Sequence, residues 1–162
     1  MEDQIMWERI DDLEALRIAI QSEIDTYNYY RNALKLFSDK DAQDLLTTLA
    51  EVERKHRRRL EEKYARLSGK RLLYLNLPKK RRFTKPIDPA ASVLDILETA
   101  IEQEKDSKDF YEKAAQRTLD ASGRRMLEEL AEDEQYQMEL LEAEYRVRLK
   151  NPSHRKLSVA SV

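Results

Sequence analysis

Shifting residues 13–64 along the chain by 81 lays them on residues 94–145 without a gap, and seventeen of the paired positions are identical. The matches include Leu13/Leu94, Leu16/Leu97, Ile20/Ile101, Glu23/Glu104, Tyr30/Tyr111, Leu49/Leu130, Glu53/Glu134 and Tyr64/Tyr145. Within them "LAEVERKH" at 49–56 returns as "LAEDEQYQ" at 130–137. A repeat of this length marks each half as one supersecondary unit whose apolar face is buried against the other. The fold must therefore be assembled from two like units.

Inside each half, apolar residues recur at helical spacing. The pattern predicts helices over about 11–38 and 40–67, a third beginning after Pro89 with Ser92 as N-cap, and a fourth starting near Asp120 or Ser122. The fourth is stopped by "NP" at 151–152, because proline cannot continue a helix. Only two glycines and four prolines in 162 residues, with 38% charged, suit long helices rather than sheet. The joints "SDKD" and "LDASG" are short, so each helix pair is an antiparallel hairpin. Residues 68–90 carry three of the four prolines and read as a long crossover. The expectation is an all-α four-helix bundle over 1–150, made from a duplicated hairpin, followed by a separate flexible tail over 151–162.

The acids fall in the wrong place for an ordinary bundle. Glu23 lies on the first apolar stripe between Ile20 and Tyr27, and Glu104 follows Ile101 on the third. Glu53 follows Leu49 with Leu60 beyond it, and Glu134 follows Leu130 with Leu141 beyond it. An uncompensated buried carboxylate costs on the order of several kcal/mol. Four facing one another must be neutralised by two divalent metal ions, by protons or by cations. The spacing favours metal: Glu53 and His56 are three apart and share a helical face. Glu134 and Gln137 repeat that spacing, and 30 residues separate the lone Glu from the paired Glu in both halves. One Glu from each of two helices plus Glu-x-x-His from the other two is the known di-iron bundle pattern. The candidate ligands are Glu23, Glu53, His56, Glu104, Glu134 and Gln137. Gln137 reads either as a ligand or as a hydrogen-bonder behind one.

These motifs resemble the ferritin-like superfamily, and most closely its rubrerythrin-type di-iron proteins. "AIQSEIDTYNYY" and "AIEQEKDSKDFYEKA" resemble that family's first and third helices, and the two "LAE" cassettes its second and fourth. The resemblance covers about 11–149. It implies a non-haem centre of two iron ions that reacts with peroxide or dioxygen, as a peroxidase or ferroxidase. Full-length rubrerythrins also carry a cysteine-ligated rubredoxin domain. This chain has no cysteine, so electrons would come from a separate donor. Two departures stand out. Gln137 replaces a second His, and an amide oxygen is the weaker donor to ferrous iron, so unequal metal affinities are expected. Thr26 and Ser107 stand where some rubrerythrins use an additional carboxylate, which puts full peroxidase activity in question.

Other features set the alternatives. Tyr27, Tyr30 and Tyr111 lie along the stripes and could bond to the carboxylates or simply pack. Lys108, also on a stripe, could pair with a core acid and weaken the metal reading, or reach solvent. Glu51 and Glu132 point away, and His154 lies beyond the last helix. "KKRR" at 79–82 reads as a solvated basic loop, since a formal charge of −2 gives no pull toward nucleic acid. The acidic "MEDQIMWERIDD" has no apolar run, so neither a signal peptide nor a membrane span is expected and the cytoplasm is the expected location. A homodimer through the tyrosine-rich first helix is expected. The terminal "KLSVASV" resembles the cargo-loading tails that direct some ferritin-like proteins into encapsulin shells. Two further readings stay open: an iron-binding or shell-associated protein without fast turnover, and a metal-free structural descendant.

Overall fold

The computed structural model describes residues 11–73, 75, 86–155 and 157. The "KKRR" segment, the N-terminal ten residues and most of "KLSVASV" lie outside them, as does the side chain of His154. The fold is all-α, with helices α1 (Asp12–Leu34), α2 (Lys40–Ser68), α3 (Val93–Arg117) and α4 (Ala121–Lys150), then a 3-10 turn at Pro152–Arg155. Among the described residues no helix is long and apolar enough to cross a membrane.

Each helix begins at a side-chain cap that satisfies an orphan backbone N–H. Asp11 accepts from Glu14, Asp39 from Ala42, Ser92 from Asp95 and Asp120 from Gly123. Ser92 and Asp95 form a reciprocal capping box. α2 ends at Gly69, whose φ of 68° is the left-handed conformation that glycine takes without a Cβ penalty. α4 stops at Asn151, before Pro152.

α1 ends at Leu34, short of the expected 38. The last turn tightens through bonds from Lys35 N to Asn32 O (3.2 Å) and Leu36 N to Ala33 O (2.8 Å). That swings Phe37 into the core, where its carbonyl accepts from Gln43 Nε2 at 2.8 Å. Burying an aromatic ring outweighs one more helical turn.

α1 packs along α2, and α3 along α4, as two hairpins that face each other. Two apolar clusters fill the bundle, one at each end. The first gathers Leu16, Ile18, Ile20, Leu60, Phe110, Leu127 and Leu130. The second gathers Tyr29, Phe37, Leu46, Leu49, Ile96, Leu97 and Leu141. The 81-residue repeat exchanges the ends: Leu16 sits in the first cluster and its counterpart Leu97 in the second. The crossover leaves α2 with Leu72 and Leu75 on the first cluster and returns with Ile87 and Ala91 on the second. Arg17 pins it there, its Nε donating to Leu75 O at 3.1 Å.

Candidate metal centre

In every helix the paired acid lies between the two clusters. Glu23 is flanked by Ile20 and Tyr30 on α1, Glu53 by Ala50 and Leu60 on α2, Glu104 by Ala100 and Tyr111 on α3, and Glu134 by Ala131 and Leu141 on α4. The apolar stripes pull these faces inward, and the acids go with them. All six candidate residues are buried: Glu23 and Glu53 are 1% exposed, His56 and Gln137 2%, and Glu104 and Glu134 0%. One donor atom from each of Glu23, Glu53, His56 and Glu134 lies within 4.8 Å of the others. Glu104 lies beside Glu134, whose charge acts on it. Gln137 Nε2 donates to Glu134 Oε2 at 3.2 Å.

The two halves hold each other's acids. Tyr30 of α1 donates to Glu104 Oε1 of α3, and Tyr111 of α3 donates to Glu23 Oε1 of α1. These bonds are related by the repeat, so the hydrogen-bonding reading of Tyr30 and Tyr111 holds. Tyr27 packs half-buried against the second cluster. Lys108 pairs with Glu112 at 2.9 Å on its own helix and leaves the core acids alone. Glu51 pairs with Arg54 at 2.6 Å on the surface, and Glu132 is exposed.

The buried acids shift one another's protonation. Burial first, then the Glu134 and Glu23 charges, push the Glu53 carboxyl well above the usual range. Burial and Glu134 do the same to Glu104, and burial raises Glu134 itself. For Glu23 burial also works upward, but the neighbouring Glu53, the charge of His56 and the Tyr111 hydroxyl outweigh it and hold the carboxyl below its ordinary value. For His56 burial works downward, yet Glu134 and Glu23 overcome it and push the imidazole up to about 10. His56 Nδ1 lies 3.1 Å from Glu134 Oε1 and 3.7 Å from Glu23 Oε2. The first contact has ion-pair distance without the alignment of a hydrogen bond, so Nδ1 stays without a hydrogen-bonding partner.

That orphan is one of a set. Glu23 Oε2, Glu53 Oε1, His56 Nδ1, Glu104 Oε2, Glu134 Oε1 and Gln137 Oε1 are all buried and lack a hydrogen-bonding partner. Each candidate residue thus presents one unused donor atom. Buried polar atoms are almost always paired, so six orphans on these six residues are what a bound ion would satisfy. Carboxylate oxygens with one imidazole nitrogen and no thiolate are a donor set that suits ferrous iron, and the residues fit such a centre.

Asp133 is the residue that sequence reasoning missed. Its Oδ2 lies 3.1 Å from His56 Nε2, on the side of the ring away from the acids. That contact orients the imidazole so that Nδ1 faces the cluster. The signal was present in the cassette: Asp133 and Val52 are repeat-related, as are Gln137 and His56. The half that supplies His56 is thus faced by Asp133, whereas Val52 occupies the corresponding position facing Gln137. Its meaning depends on α2 facing α4, which periodicity does not encode.

The family model described as Rubrerythrin matches residues 14–145. No curated protein sequence matches the chain. Among solved structures, the hypothetical protein Pfu-1136390-001 from Pyrococcus furiosus is similar at 24% identity and a TM-score of 0.74, covering 87% of this chain and 92% of that one. A dodecameric thioferritin, the bacterioferritin-related protein from Bacteroides fragilis, aligns at 19% identity and 0.72, over 93% and 94%. Rhodobacter capsulatus bacterioferritin, solved with a metal-free dinuclear site and haem iron, aligns at 18% and 0.74, over 93% and 96%. At these identities the likeness is one of fold: the ferritin-like four-helix bundle.

Proposed function

Because the chain belongs to the rubrerythrin family, we propose that it is a cytoplasmic di-iron oxidoreductase that reduces peroxide or dioxygen. The observation that carries this reading is the set of six buried, unpaired donor atoms, one on each candidate residue. Glu23, Glu53, His56 and Glu134 form the compact group and would hold one ion. The repeat maps them onto Glu104, Glu134, Gln137 and Glu53, which would hold a second. Bound ferrous iron would supply the electrons, taken afterwards from a separate donor because the chain has no cysteine for a rubredoxin-type centre. The protein's own part is to bind, orient and exclude water. Tyr30 and Tyr111 fix Glu104 and Glu23, Asp133 fixes His56, and the apolar clusters close both ends of the core.

An anaerobic ferrous titration of the apo-protein tests this directly. Two ions per chain, one held more tightly, is the expected result, and no binding would sink the proposal. A second reading has its own observation: four of the six candidates form the compact group, and Glu104 and Gln137 stand outside it. On that reading the chain is an iron-binding protein without fast turnover. Peroxide consumed per iron separates the two, with repeated turnover favouring the oxidoreductase. A metal-free descendant is the third reading, and metal binding itself excludes it.

We also propose self-association, a homodimer at least, given that one structural relative is a dodecamer. The segment 151–162 is proposed as a separate tail that loads the protein into an encapsulin shell. If deleting it leaves co-purification with a shell unchanged, that role is lost.

A further inference from the structure

The centre is closed at both ends of the bundle by apolar clusters, so a reactant must arrive from the side. Between α1 and α3 the way is blocked: Ser22 Oγ lies 3.2 Å from Ser107 Oγ, and Thr26 and Gln103 are buried in the same seam. Between α2 and α4 there is a groove of about 320 Å³. His56 and Gln137 lie at its base, with Leu49, Val52, Tyr136 and Leu140 along it. A larger groove, about 850 Å³ between α3 and α4, includes none of the candidate ligands.

The charges along the narrower groove are largely spoken for. Arg59 pairs with Glu129 across it at 2.5 Å, and Asp133 faces His56 Nε2 at 3.1 Å. Lys55 is exposed at its edge. An iron cation entering here would meet Lys55 and shed its hydration against Leu49, Val52 and Leu140, which strongly disfavours an ion. A neutral diatomic or peroxide molecule pays little of that. The groove also reaches the centre beside Gln137, whose amide is the weakest donor in the set and so leaves room for a reactant.

We propose that the α2–α4 groove is the route by which a neutral small oxidant reaches the centre, with Val52 as its narrowing wall. The inference rests on the metal-centre reading above. Nitric oxide, a neutral probe, tests it without turnover. Its association with the anaerobic ferrous-loaded protein is followed by stopped-flow absorbance, alongside ferrous stoichiometry and circular dichroism. Val52→Trp should slow association about tenfold and Val52→Ala should speed it about threefold, as expected for a gated site, with ferrous stoichiometry unchanged. Lys55→Glu should leave the rate as it is. Wild-type rates in both Val52 variants overturn the route, and Val52→Ala decides the matter alone if Val52→Trp does not fold. A rate that follows the charge at Lys55 overturns the selectivity for neutral molecules. Failure of the wild type to bind ferrous iron overturns the metal centre itself, a result distinct from unchanged rates at full occupancy.

Discussion

Among the described residues, Tyr30 and Tyr111 are each the only hydrogen-bond donor to one buried carboxylate oxygen of the opposite hairpin. Removing one hydroxyl strands that oxygen. Tyr30→Phe should therefore cost about 1–3 kcal/mol of stability in the metal-free protein, read by urea denaturation. On the metal-centre reading Asp133 would act on the metal rather than on the fold, because its side chain is half-exposed. Asp133→Asn should lower the affinity of the tighter ferrous site about tenfold or more in equilibrium titration while the helicity stays at wild type. Tyr29 gives a pH signature away from the centre. Its hydroxyl donates to Ile96 O at 3.0 Å, and burial pushes it from an ordinary value of 10.0 up to about 12, against a smaller opposite effect of Thr99. Because the folded value is the higher, its contribution is complete below pH 10 and is lost as the pH rises through 12. Discounted for solvent screening, the loss is about 1–2 kcal/mol, and Tyr29→Phe should remove that share of the alkaline slope.

At the level of helices, the repeat reuses one device at both ends of the bundle. The N-cap of α2, Asp39, is held by Arg148 at 2.7 Å from the C-terminal end of α4, and the N-cap of α4, Asp120, is held by Lys63 of α2. Arg148 is itself buried, bonded to Glu144 at 2.6 Å and placed over the Phe37 ring at 5.5 Å. Asp39→Ala should destabilise the protein by about 1–2 kcal/mol, the usual value of an N-cap. The Arg148 bond holds the Asp39 carboxyl below its ordinary range, although burial works against it. The contribution is therefore present above the ordinary aspartate value and disappears as the pH falls through the lowered one. Thermal melts of wild type and Asp39→Ala should converge in acid. None of these links was legible in the sequence. Helix starts, the proline stop and the apolar stripes were, because each depends on residues within a few positions. Asp39–Arg148 and His56–Asp133 depend on how one helix is rotated against another, and the early end of α1 depends on where Phe37 finds its pocket.

Taken whole, the molecule is a duplicated hairpin whose central acids were readable from the repeat alone, since four acids in register on apolar faces have few explanations. How the metal-free core balances its charge was not readable, because that required the distances. Burial and mutual repulsion favour the protonated forms of Glu53 and Glu104, and His56 lies beside Glu23 and Glu134, which lowers the charge held inside. On the metal-centre reading iron would displace protons here, including one from an imidazole pushed up to about 10, so ferrous affinity should rise with pH and uptake should acidify a weakly buffered solution. The same balance means that the chain should refold in chelator to full helicity and then accept iron, unlike small zinc domains that collapse without their metal. Loss of helicity in chelator would refute this. On the metal-centre reading, such a chain would stand folded and empty before any iron arrives, a reserve of binding capacity that needs only a supply to fill it.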